Sequence, residues 1–235
     1  MTSVTTIQDH LRGIADPEIA LVSQRFFKTA PGQYGAGDIF LGIKVPVLRA
    51  QLKKFPQVSL NTMSALLQSK MHEERFFALL LLMEYFKKAD AANQQIAYDL
   101  YLTHTAFINN WDLVDLSAAH IVGVYLADRV RLPLYELAKS ASLWERRIAI
   151  IATFHFIRCG EYKDTLNLAE YLLNDTHDLM HKAVGWMLRE VGKRDQEIEE
   201  QFLRRHYRNM PRTMLRYAIE RVPEARRKAY LLGTV

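Results

Sequence analysis

Asn109-Asn110-Trp111-Asp112-Leu113-Val114-Asp115 is the stretch around which the chain is arranged. A short polar side chain at Asn109 or Asn110 can accept from the free N–H groups of a helix start. With the helix beginning there, Trp111 and Asp115 lie four residues apart on one face, while Leu113, Leu116 and Ile121 point elsewhere, toward a core. An indole beside a carboxylate on an otherwise apolar helix suggests more than packing. Packing alone also accommodates both, because Trp is often a core residue and an early Asp favours the macrodipole. The stretch decides the fold through its recurrence. A long helix with an apolar, small-residue middle returns near Ala78, Val114, Ala149, Gly185 and Ala218, at intervals of 36, 35, 36 and 33. A shorter, more polar helix precedes each one. A helix pair repeating at this length, without strand signals, predicts an all-α, HEAT-like helical-repeat solenoid, an α-α superhelix with a concave basic groove. The tetratricopeptide spacing of Trp, Leu-Gly and Tyr is missing.

The remaining helices are read from caps and breakers. Asp16-Pro17 opens a helix over Glu18–Lys28, and Val45-Pro46 another over Val47–Phe55. Ser59 caps Leu60–Ser69, His72–Lys88 is strongly apolar, and Asp90 caps Ala91–Thr103. The Trp111 helix is expected to run to about Asp128, followed by Pro133–Ala138 and by Leu143–Arg158 capped by Ser142. Then come Tyr162–Leu173, Leu179–Gly192, Gln196–Arg208, Pro211–Arg221 and a terminal piece after Pro223. Residues 30–44 hold four of the ten glycines and read as a loop.

The 235 residues are read as a single domain, 1–235, with 49% hydrophobic and 24% charged residues. Cys159 is the only cysteine, so no internal disulfide forms and a reducing cytoplasm is the expected location. No signal peptide is read at Met1–Thr5, and Phe76–Phe86 is too short a greasy run to span a bilayer, so no membrane partner is expected. The charge is uneven. Residues 201–235 carry nine Lys and Arg against Glu220 and Glu224, a net +7 within a total of +5, so the other 200 residues carry −2. A basic end on a near-neutral body suits a polyanion, or else a solvated helical face.

In a solenoid, residues near the start of each long helix should line one groove. Those positions hold Trp111 and Asp115, Arg146 or Arg147, Lys182 and Trp186, and Arg212 and Arg216. Cations neutralise phosphate and aromatic planes cover sugars or bases, so the set points to nucleic acid.

Four segments carry a resemblance. They are Phe40-Leu41-Gly42-Ile43-Lys44-Val45-Pro46 after a Tyr-containing Gly-rich loop, Trp111–Asp115, Trp144-Glu145-Arg146-Arg147-Ile148-Ala149, and Lys182-Ala183-Val184-Gly185-Trp186-Met187-Leu188-Arg189-Glu190. In this order, over about residues 20 to 220, the chain resembles the AlkD-type DNA alkylation repair proteins, which are HEAT-like-repeat DNA glycosylases. The resemblance implies excision of 3-methyladenine and 7-methylguanine from double-stranded DNA by hydrolysis of the N-glycosidic bond, without base flipping. It implies a monomer, found with the nucleoid when on DNA, with no metal and no organic cofactor. The family's essential acid falls on Asp115, its indoles on Trp111 and Trp186, and its loop tyrosine on Tyr34. Its guanidinium falls on Arg147, with Arg146 beside it and the spacing from Trp144 favouring Arg147. Tyr34 is then expected to bind the DNA, with Arg146, Lys182, Arg212 and Arg216 on its backbone. A non-catalytic helical-repeat scaffold and a DNA binder without glycosylase activity are the rival readings.

Other constellations carry less. His177 and His181 have zinc-ligand spacing but lack a third ligand, and His72-Glu73-Glu74-Arg75 is not a zincin motif. Cys159, four residues after His155, is expected as a small buried hydrophobe. Phe76, Phe77, Tyr85 and Phe86 read as core.

Overall fold

The computed structural model describes residues 2–235, and among them there is no strand, only an isolated bridge between Ile39 and Met71. The chain divides into two compact units, one ending at Ser117 and one running from Ala118 to Val235.

The first unit carries α1 (Val4–Arg12), α2 (Pro17–Phe26), α3 (Val45–Gln51), α4 (Leu60–Leu67), α5 (His72–Lys88), α6 (Ala91–Thr103) and the start of α7 (Trp111–Ala118). The side chains of Asp16, Ser59 and Asp90 cap α2, α4 and α6 as their sequence positions predict. The helix α1 is an addition to the sequence reading. Its opening Val4-Thr5-Thr6 is a β-branched run with weak helical preference, and the helix is held by Ile7 and Leu11, which are completely buried. The centre of the unit is α5, against which α3, α4 and α6 pack. Its residues from His72 to Leu82 are all buried, including Phe76 and Phe77. A helix apolar on every side must be a core helix.

The second unit carries α8 (Leu132–Ala138), α9 (Leu143–Ala152), α10 (Phe154–Arg158), α11 (Lys163–Tyr171), α12 (Asp178–Gly192), α13 (Gln196–His206), α14 (Arg212–Ala218) and α15 (Glu224–Leu232). Here the repeat is visible in packing. The helices α8, α11 and α13 each pack on the long helix that follows or precedes them, while α9, α12 and α14 pack on one another in sequence order. On α12 the small residue at the middle of the helix, Gly185, allows this. A Cβ built on Gly185 would stand 2.4 Å from the carbonyl oxygen of Met214 and 2.6 Å from Cβ of Tyr217. Gly185→Val is therefore expected to cost about 2 kcal/mol by overpacking the α12–α14 contact, measured by urea unfolding.

Three expectations are corrected. The Trp111 helix does not run evenly to Asp128, because Ala119–Gly123 is a π-helical turn whose wider winding re-registers the buried Ala119, Ile121 and Val122. The single helix over Leu143–Arg158 is broken at Thr153, whose buried hydroxyl donates to the carbonyl of Ile150 at 2.7 Å. Ser142 makes no side-chain cap; Ser140 Oγ instead accepts from the amide of Ser142 and donates to Glu145.

Candidate active site

The predicted residues of the first unit gather at the start of α7. Asn110 occupies the cap position, completely buried, and its side-chain oxygen accepts from the amide of Trp111 at 2.8 Å. Trp111 and Asp115 follow on one face, both half-buried, while Leu113 and Val114 are fully buried on the other. The far end of the helix is pinned inside the core. Ser117 Oγ donates to the carbonyl of Leu113 and lies 2.9 Å from the hydroxyl of the buried Tyr101, whose pKa is pushed up chiefly by burial and further by the charge of Asp115.

The indole of Trp111 tops an aromatic pile. Phe27 stacks on it at 5.3 Å between centroids, Phe40 stacks on Phe27 at 5.0 Å, and the His72 imidazole stacks on Phe40 at 4.4 Å. Phe26, 63% exposed, meets Trp111 edge-on at 6.0 Å. Tyr34 belongs to the same neighbourhood. It sits half-buried in the glycine-rich loop, and its hydroxyl donates to the carbonyl of Phe26 at 3.4 Å.

Beneath these rings is a buried ionic network. One ring nitrogen of His72 is 2.8 Å from Asp38 and the other 2.8 Å from Asp112, the second residue of α7. Arg75 donates to the second oxygen of Asp38 at 2.6 Å, to the side chain of Asn109 at 3.1 Å and to the carbonyl of Ser69. Burial disfavours the imidazolium, but the hydrogen bonds and charges of Asp112 and Asp38 raise His72 to about 9. Burial likewise opposes ionisation of Asp38, and His72 with Arg75 outweighs it, holding this carboxyl below its ordinary range. Because His72 is raised in the folded state, its stabilising contribution is complete below its ordinary value near 6.5 and fades as pH climbs through about 9.

The neighbouring acids have separate tasks. Glu73 accepts from the amides of Leu41, Gly42 and Ile43 at 2.8, 2.8 and 3.2 Å, which fixes the end of the glycine-rich loop. Gly42 has φ +81°, and a Cβ there would stand 2.0 Å from the carbonyl oxygen of Asp16, so only glycine lets the loop lie against the start of α2. Glu74 takes Gln8, Arg12 and Ser69. The sequence reading missed Phe26, Phe27, Asp38, His72 and Arg75. One signal was present: four consecutive polar residues, His72-Glu73-Glu74-Arg75, opening a helix that is otherwise apolar.

The other predicted residues belong to the second unit. Arg146 and Arg147 stand in the first half of α9. Arg146 is bound to Asp175 at 2.6 Å and to the carbonyls of Ser140 and Ala141, while Arg147 is buried and donates to the carbonyl of Leu179 at 2.5 Å. Both arginines thus hold the start of α9 to the segment that opens α12. On α12, Lys182 pairs with Asp178 at 2.7 Å, and Trp186 donates to Glu190 at 3.2 Å with Phe154 at 6.0 Å. Arg212 and Arg216 lie exposed on α14, Arg212 donating to the carbonyl of Leu231.

His177 and His181 are absorbed by the same helix start, His177 accepting from the amide of Leu179 and His181 lying 2.5 Å from the carbonyl of Asp175. Among the described residues, no group of three His, Cys, Asp or Glu side chains could hold a metal ion. Cys159 is exposed rather than buried, a correction to the sequence reading. It follows the last turn of α10 and precedes Gly160 at φ +80°, so it sits in the turn rather than on the helix's inner face. Among the described residues no helix is long and apolar enough to cross a membrane.

The sequence model of a family described as DNA alkylation repair enzyme matches residues 7–222. Among solved structures, the chain is similar to one described as "Predicted DNA alkylation repair enzyme from Enterococcus faecalis", with a TM-score of 0.69 and 18% identity. The match covers 89% of this chain and 97% of that one, so the two share a fold. No curated protein matches.

Proposed function

The chain belongs to the DNA alkylation repair enzyme family, and on that premise we propose that it is a DNA glycosylase releasing N3- and N7-alkylated purines, such as 3-methyladenine and 7-methylguanine, from double-stranded DNA. The observation that carries this reading is the pairing of Trp111 and Asp115, half-buried on one face of a helix whose first turn is locked by buried ion pairs. Rigid support of that kind is what a charge-stabilising carboxylate needs.

Alkylation at N3 or N7 leaves a positive charge on the purine and makes it a good leaving group. The barrier is then the positive charge growing on the deoxyribose as the bond to C1′ breaks. The carboxylate of Asp115 stabilises that charge and orients the attacking water. The water adds at C1′ as the neutral purine leaves with the bonding electrons, and it passes its proton to that carboxylate and on to solvent. The Trp111 ring face covers the sugar and favours the developing cation. In the second unit the reading assigns Trp186 to a deoxyribose, Arg147 with Lys182 to phosphates, and Arg146, Arg212 and Arg216 to the DNA backbone. In the first unit Tyr34 supports the Phe26 edge of the aromatic pile. The basic groups must outweigh the repulsion between Asp115 and the DNA anion, and the +7 of residues 201–235 serves that end.

The test is direct. Methylated duplex DNA incubated with the purified protein, without added metal, should yield free 3-methyladenine and 7-methylguanine. A protein that binds the duplex with a steep salt dependence but leaves the bases attached is a binding module instead.

A further inference from the structure

We propose that His72 is a positioning residue, whose imidazole, clamped between Asp38 and Asp112, holds the glycine-rich loop against the start of α7 and so places Trp111 and Asp115 for base excision. The proposal rests on the glycosylase reading for the reaction it serves, and on geometry for the clamp itself.

Both ring nitrogens of His72 face a carboxylate oxygen at 2.8 Å. A neutral imidazole has a single N–H, so it would turn a lone pair on one of those carboxylates; only the imidazolium can donate to both. The two partners come from different parts of the unit. Asp38 lies in the loop, and Asp112 immediately follows Trp111. The charged groups facing the imidazole are therefore Asp38 from the loop and Asp112 from α7, with Arg75 from α5 itself neutralising the other side of Asp38. Glu73, next along α5, is directed to the backbone amides of Leu41, Gly42 and Ile43. From just past the end of α2 and from the loop, Phe27 and Phe40 cover the ring with no charge of their own, at 5.2 and 4.4 Å.

Two carboxylates and two cations balance within this cluster, and His72 is the member able to lose its charge under mild conditions. Losing it leaves Asp38 and Asp112 with one cation between them in a dry site, where an unbalanced charge is costly. The first turn of α7 and the loop then lose their tie. The ring pile from His72 through Phe40 and Phe27 to Trp111 carries the same displacement to the indole. A shift of about 1 Å in such a group is enough to cost roughly 100-fold in rate.

The experiment has two independent readings. In the wild-type protein, NMR titration should show the His72 ring changing state near pH 9, with the Trp111 indole N–H, assigned by its loss in Trp111→Phe, moving at the same midpoint. In single-turnover excision, the wild-type rate should fall across that pH range after spontaneous loss of base is subtracted. His72→Gln should excise about 100-fold more slowly at neutral pH, keep its affinity for the duplex and lack that alkaline limb. A Trp111 signal indifferent to the His72 titration overturns the proposal, as does a folded His72→Gln protein with the wild-type rate and profile. If His72→Gln does not fold, the wild-type titration decides alone. Absence of excision by the wild-type protein at every pH overturns the glycosylase reading, and the coupling of His72 to Trp111 is then judged by NMR.

Discussion

Asp115→Asn is expected to bind duplex DNA as tightly as the wild-type protein or more tightly, and to release alkylated purines about 2 to 4 orders of magnitude more slowly. The two halves of this result come from one charge. In the proposed complex the carboxylate repels nearby phosphates, so neutralising it removes an unfavourable term from binding. In the proposed transition state it faces the positive charge growing on the sugar, and an amide dipole stabilises that charge far less than a full anion does. The substitution is nearly isosteric at a half-buried position, so the fold should persist. Single-turnover release of 7-methylguanine and a DNA titration at fixed salt measure the two halves separately. Near-normal release by the variant removes Asp115 from the mechanism.

Glu199→Gln is expected to stabilise the protein by about 3 kcal/mol at pH 7, with little effect near pH 4. Glu199 lies on α13, 5% exposed, against the end of α12, and its Oε1 finds no hydrogen-bond partner among the described residues. Burial first, and then the neighbouring Glu200, raise this carboxyl to about 8. The folded protein therefore holds a proton that the unfolded chain gives up near 4.5. A group raised in this way contributes fully below pH 4.5, and its contribution is lost as pH rises through about 8. Glutamine has nearly the same shape and never ionises, so the gain should grow from pH 4.5 and level off above 8. Urea unfolding of both proteins across this range checks it. A gain that does not change with pH sinks the assignment.

The helices were readable because helical information is local. Asp16, Ser59 and Asp90 cap where they stand, and the apolar run from Phe76 to Leu82 has no better home than a core. The recurrence of small residues near Ala149, Gly185 and Ala218 was legible too, and the packing of α9, α12 and α14 explains it. Of the candidate site, the sequence offered Trp111 and Asp115 on one helix face, because spacing of four is a property of the helix itself. It could not offer what holds that face. Asp38, His72 and Asp112 are separated by 34 and 40 positions, and no periodicity links a loop aspartate to a helix-start histidine. The same distance in sequence hid Phe27 beneath Trp111, and hid Asp175 and Leu179 as partners of Arg146 and Arg147.

By itself, then, the sequence determined an all-helical chain, the helix starts capped by Asp16, Ser59 and Asp90 and the face that carries an acid beside an indole, since backbone hydrogen bonding and side-chain spacing act within a few residues. Tertiary structure alone decided that α1 forms, that α9 ends at Thr153 and that four consecutive polar residues enter the core. Burial sets those outcomes. A charge removed from water must find its counter-charge in space, and only the folded chain brings Asp38 and Asp112 to the two sides of His72.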